Sequence, residues 1–234
     1  MKESINLLKD YRFNISENSL ELMKKERAYL QEQQKKIPEL AGLTFFGSRT
    51  LGREKESSDL DMNVFYDSSD CWKEQDGELK PDQDKIAILE NRISKVFDVD
   101  SIEEEYKEHA GTSLYDISPG AIKRDLKRFQ NLLKDQESGV RKEFTPDFKP
   151  TEAWNIMSLF LLGVGDRLYK ARNEILNTLE KLPDGEFIWG KIVDYISAVE
   201  RDGTTKKREA LESYNMYPRT ISKARDYFRV IADN

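Results

Sequence analysis

Apolar residues recur along this chain at two spacings, one helical and one extended, and the first half mixes them. Asn18 with Glu21 three residues on has the form of a helix start, and the helix it predicts runs to about Lys36, stopping before Pro38. The apolar run Gly42 to Gly47 (GLTFFG) is short and closed by glycine, which predicts a buried strand. Asp59 to Asp67 (DLDMNVFYD) alternates polar and apolar positions and predicts a second strand. From Ser68 to Lys80 the chain is polar and without period, as expected of a loop. Pro81 then opens a helix whose apolar face is Ile86, Leu89, Ile93 and Val96. Two short extended segments follow, Phe97 to Ile102 (FDVDSI) and Ser113 to Ile117 (SLYDI). Ser118-Pro119 marks the start of a helix carrying Ile122, Leu126, Phe129 and Leu133 along one side.

The second half reads as helical throughout. A charged, non-periodic stretch at about 136–149 is the candidate linker. Beyond it, Ala153, Ile156, Phe160, Val164, Leu168, Ala171, Ile175 and Leu179 form one long apolar stripe. Ile188, Ile192, Tyr195 and Val199 form a second, and Ile221, Ala224, Phe228 and Ile231 a third. The order of elements predicts an α+β fold with a mixed sheet over 1–135, followed by a C-terminal helical bundle over 150–234.

Composition narrows the chemistry. The chain has 234 residues, 38% apolar and 35% charged, with a net charge of −6, which argues against coating nucleic acid through a broadly basic surface. It contains one cysteine, Cys71, and one histidine, His109, so neither an internal disulfide nor a zinc finger can form. His109 lies in the acidic stretch SIEEEYKEHAG, an unpromising setting for a Ser-His-Asp mechanism. The opening MKESINLLKDYRF lacks the pattern of a secretory signal, and no apolar run approaches the roughly 20 residues of a membrane span. A cytoplasmic protein without membrane contact is expected.

The chemistry gathers between Phe45 and Tyr66, FFGSRTLGREKESSDLDMNVFY. A strand ends in Gly47-Ser48, and eleven residues past Ser48 comes Asp59, then Asp61 within the next strand. Side chains alternate along a strand, so Asp59 and Asp61 project to the same side. Paired carboxylates repel unless a cation lies between them, and an all-oxygen donor set suits Mg²⁺ or Mn²⁺. Glycine at 47 lets backbone approach a phosphate, and the amides from Ser48 onward can donate to an anion. Arg49 and Arg53 are candidate phosphate contacts.

Gly-Ser, a spacer and Asp-x-Asp resemble the signature of the DNA polymerase β-like nucleotidyltransferases, and the form FFGSRTLGR…SDLDMNVF is most similar to the minimal and antibiotic-type members. The resemblance covers about a tenth of the chain. It implies a nucleotidyltransferase domain over 1–135, with Gly47 and Ser48 at the triphosphate of an NTP and Asp59 and Asp61 at the metals. A third acid is implied on a later strand: Asp98 first, then Asp100 on the same strand face, then Asp116. The implied activity is transfer of a nucleoside monophosphate to a hydroxyl, with pyrophosphate released. A protein, an RNA 3′ end and a small molecule are all acceptable acceptors. The alternative is a non-catalytic nucleotide- or partner-binding module of the same fold, antitoxin- or regulator-like.

The far C-terminus adds one asymmetry. Between Gly203 and Arg229 there are seven basic residues against three acidic ones, in a chain that is acidic as a whole. Such a segment can attract a triphosphate or a phosphate-rich acceptor, and Lys223 is the residue singled out for that role. No histidine follows His109, which excludes the Arg-x4–6-His ribonuclease often paired with minimal nucleotidyltransferases.

Overall fold

A computed structural model of the protein describes residues 15–50, 52, 54–55, 57–58, 60–75, 77–99, 113–139, 155–156, 158–200 and 218–232, the side chains of 98–99, 195–200 and 228–232 excepted. It is an α+β structure with a mixed sheet and six α-helices among the described residues. Two compact units are present. One holds the described residues of 14–122 together with Leu162–Leu168, and the other those of 123–161 and 169–234.

The first unit opens with α1 (Glu17–Gln33), capped by Ser16, whose hydroxyl accepts from the Ser19 amide at 3.2 Å. The cap therefore lies two residues before the Asn18 expected from the sequence, because Ser16 is the residue in extended conformation, with ψ 159°. Strand β1 (Leu40–Phe45) pairs antiparallel with β2 (Met62–Tyr66), and β2 pairs in parallel with β5 (Ser113–Asp116). Every residue of β1 and β2 is buried, so both strands are covered on both faces.

Three departures from the sequence reading have local causes. The polar stretch after Ser68 is not a loop: a 3₁₀ turn, Ser69–Cys71, leads into a hairpin of β3 (Trp72–Gln75) and β4 (Glu78–Pro81). Its strands are largely exposed, so no buried face imposes an apolar alternation on them. Helix α2 (Gln83–Val99) runs through Phe97, Asp98 and Val99, where a strand was expected. Phe97 is buried one turn on from Ile93 and meets Tyr29 edge-on at 5.7 Å, which makes it the next step of the helical apolar face. Finally, the long C-terminal stripe is broken by β6 (Leu162–Val164), which pairs antiparallel with β1 from Leu43 to Phe45. The glycine after Val164 allows the close approach. Gly165 has φ +129°, and a Cβ there would stand 2.5 Å from the Ala41 carbonyl oxygen. The sheet order is thus β5-β2-β1-β6.

The second unit is helical in its described part. Helix α3 (Pro119–Glu137) and helix α4 (Asp166–Glu180) each begin in the first unit's residues and continue here, followed by α5 (Gly185–Glu200) and α6 (Ile221–Ala232). Phe160 and Trp189 are fully buried and pack edge to face at 4.9 Å, and the Trp189 indole donates to the Pro218 carbonyl at 2.9 Å. The Arg172 guanidinium is buried and donates to the Leu159 and Leu161 carbonyls at 2.5 and 2.6 Å. The chain arriving at β6 is thereby held by a side chain of α4.

Candidate functional site

The end of β1 and the start of β2 meet at the acidic motif. The Phe46 amide donates to the Asp61 carbonyl at 3.1 Å, extending the strand pairing past the last regular residues. Gly47 follows with φ +78°, a conformation that side-chain-bearing residues avoid. A Cβ on Gly47 would collide with Asp61 Oδ2 and stand 2.9 Å from Cγ. The half-buried Asp61 carboxylate therefore lies directly over the Gly47 backbone, in space that glycine alone leaves free. Ser48 to Thr50 form a turn, and the Thr50 hydroxyl closes it by donating to the Gly47 carbonyl at 2.9 Å. Ser48 itself is half-buried.

Arg49 turns inward. It is 1% exposed. Its Nε and Nη2 donate to the Ser58 carbonyl at 2.9 and 2.5 Å, and Nη1 reaches Ser19 Oγ, in the first turn of α1, at 3.4 Å. Ser19 Oγ in turn donates to Glu54 at 3.1 Å. Burial alone would raise the Glu54 carboxyl, but hydrogen bonds from Ser16, its own backbone and Ser19, with the charge of Arg49, leave it below the ordinary glutamate value. The guanidinium is thus engaged in tying the β1–β2 connection to α1.

Asp59 and Arg53 lie outside the described residues, as do Asp100 and His109, so the structure here speaks to Asp61 alone of the Asp-x-Asp pair. Asp98 sits in the last turn of α2, and its side chain is outside the described set. Phe97 to Val99 lie in α2 and not in the strand expected there, and residues 100–102 lie outside the described residues. Asp116 is fully described. It pairs with Tyr66 at the far end of β2, five residues beyond Asp61, or roughly 16 Å at ~3.3 Å per strand residue. Its carboxylate accepts from the Ser68 amide at 3.2 Å, the Ser118 amide at 2.9 Å and the Ser68 hydroxyl at 2.5 Å. The Trp72 indole donates to that same Ser68 hydroxyl at 2.8 Å. Asp116 therefore joins the ends of β2 and β5 to the start of α3. Among the described residues no three His, Cys, Asp or Glu side chains gather as a metal group.

In the second unit, Lys223 is exposed in the first turn of α6, and its amide donates to Thr220 Oγ1 at 3.4 Å. Of its basic neighbours, Arg219 pairs with Asp194 at 2.9 Å and Arg225 with Glu180 at 2.7 Å. A lysine in the first turn sits near the positive end of the helix dipole, which disfavours it there.

No described helix is long and apolar enough to cross a membrane. Comparison of the chain with protein-family models, with curated proteins and with solved structures finds no match. The functional reading therefore rests on the residues themselves.

Proposed function

We propose that this chain is a divalent-metal-dependent nucleotidyltransferase that moves a nucleoside monophosphate from an NTP to a hydroxyl acceptor. The observation that carries the reading is the Asp61 carboxylate lying over Gly47, which joins an anionic metal ligand to a phosphate-approach glycine at one strand junction. The reading brings with it a nucleotidyltransferase fold for the first part of the chain, a C-terminal helical bundle and a cytoplasmic setting.

The residues fit a hard cation. Asp59 and Asp61 would supply carboxylate oxygens, with a third acid, Asp98 or Asp100, completing the set. Mg²⁺ or Mn²⁺ held there would neutralise triphosphate charge and lower the pKa of the acceptor hydroxyl. Gly47 gives the triphosphate access to backbone, and the Ser48 hydroxyl and neighbouring amides donate to its terminal oxygens. The acceptor oxygen attacks the α-phosphorus in line. One P–O bond forms, the α–β bridging bond breaks, and pyrophosphate carries off the electron pair. The acceptor proton passes to a carboxylate of the third-acid position. Arg49 enters as a support of the loop, and Lys223 as a charge that draws the phosphate-bearing substrate.

The test is pyrophosphate release from each of the four NTPs with Mg²⁺, with and without cell extract, joined to a mass-spectrometric search for a nucleotidylated species in that extract. Release that depends on Asp61 and on an extract component supports the transferase and names its acceptor. Metal-dependent NTP binding with no release under any condition would turn the reading to a nucleotide-binding module.

A further inference from the structure

We propose that Arg49 is a positioning residue for the acidic site, its buried guanidinium holding the connection that leads into β2 so that Asp61 meets Gly47. The proposal rests on the metal-site reading above and assigns Arg49 a role distinct from touching substrate. Four observations carry it.

First, Arg49 is 1% exposed, so its charge is not presented to a substrate in solvent. Second, two of its donors converge on one acceptor, the Ser58 carbonyl, at 2.9 and 2.5 Å. Ser58 is three residues before Asp61 and immediately precedes Asp59 in sequence, so the guanidinium fixes the backbone at the entry to the acidic motif. Third, the Ser58 region is itself a closed turn, with its amide bonded to the Lys55 carbonyl at 3.0 Å and its hydroxyl accepting from the Lys55 amide at 2.8 Å. What Arg49 holds is therefore a preformed unit. Fourth, the third guanidinium nitrogen reaches Ser19, which belongs to α1 and not to the connection. The clamp thereby references the acidic strand to a helix that packs on β1.

A planar fork can satisfy a carbonyl twice and still reach a second acceptor, whereas an ammonium is a point donor. The Phe46 amide joins the end of β1 to the Asp61 carbonyl on the near side of the connection, and the Arg49 fork holds the Ser58 side. Losing the fork frees the residues before Asp61 to depart from Gly47, which weakens metal binding without removing any ligand.

The test uses the full-length protein, with Mn²⁺ binding followed by paramagnetic resonance and backbone exposure of residues 50–60 followed by hydrogen exchange. Arg49→Gln, Arg49→Lys, Ser19→Ala and Asp61→Asn are compared with the wild type. The expected result is faster exchange over 50–60 and about tenfold weaker Mn²⁺ binding in Arg49→Gln, equal to about 1.4 kcal/mol. Arg49→Lys should fall between that variant and the wild type, and Ser19→Ala should lose about two- to threefold, these being estimates on the same scale. Arg49→Gln that is folded, exchanges faster and yet binds Mn²⁺ as the wild type does, while Asp61→Asn does not, overturns the positioning role and leaves the metal site standing. A wild type that binds no Mn²⁺, or an Asp61→Asn that binds it normally, overturns the metal-site reading and this proposal with it. If Arg49→Gln fails to fold, the milder pair decides: normal Mn²⁺ affinity in both Arg49→Lys and Ser19→Ala overturns the proposal.

Discussion

Asp61 and Gly47 occupy one another's space: Asp61 Oδ2 lies where any other residue at 47 would carry its Cβ, and Gly47 is at φ +78°. Glycine is therefore required twice, for its backbone angle and for the room it leaves. Gly47→Ala should lower stability by about 1–3 kcal/mol, the usual cost of a left-handed residue with a side chain, and should push the carboxylate aside. Denaturant unfolding and Mg²⁺-dependent NTP binding should both register the change. An alanine variant that keeps wild-type stability and binding would show that the junction rearranges at no cost.

Asp59→Ala and Asp61→Ala should each abolish transfer with little loss of stability, because removing one of two repelling carboxylates relieves the metal-free protein. For the same reason NTP should bind weakly in EDTA and much more tightly with Mg²⁺ or Mn²⁺, since bare carboxylates oppose the triphosphate charge. Calorimetry returning equal affinities in EDTA and Mg²⁺ would sink the metal site, and so would an Asp61→Ala enzyme turning over normally.

Asp116 and the third acid are separable by what they disturb. Asp116→Ala leaves the Ser68 and Ser118 amides and the Ser68 hydroxyl without their acceptor and should cost about 2–4 kcal/mol, with turnover per folded molecule retained. Asp98→Asn and Asp100→Asn should leave the melting temperature nearly unchanged, and one of them should stop transfer. If Asp116→Asn instead abolished turnover at unchanged stability, the third acid would lie at the far end of β5.

Replacing Lys223, Arg225 and Arg229 together with Gln should barely alter the melting temperature, because Arg225 contributes an exposed ion pair worth at most about 1 kcal/mol and Lys223 is exposed. The apparent KM for one substrate should rise, and rise less at high salt, where screening has already weakened the attraction. Identical kinetics at low ionic strength would return this segment to ordinary surface.

Periodicity was a good guide wherever one face of an element is buried. Ile86, Leu89, Ile93, Ile122, Leu126 and Phe129 are all core, and each sits at the helical spacing that announced it. It misled where local pattern and long-range pairing diverge. Leu162-Gly163-Val164 fits a helical stripe, yet β1 offers an unpaired edge from Leu43 to Phe45, and backbone pairing there outweighs the local preference. Phe97 looked like the head of a strand because the acids after it interrupt the helical stripe, while its contact with Tyr29 extends α2 past that interruption.

At the candidate site the division is similar. The sequence by itself determined that two strands flank this segment, the first ending shortly before Gly47 and Ser48 and the second beginning just after Asp61, because these follow from residue type and alternation. It could not determine that Arg49 turns inward to Ser58 and Ser19, since an arginine beside a turn has the same local pattern whether it faces solvent or core. Nor could it place Asp116, whose identity as a carboxylate says nothing of its register; the pairing with Tyr66 sets it at the end of β2 away from Asp61. Alternation fixes which face a side chain takes, but its level along the sheet and the company it keeps are set by strands and helices far away in the chain.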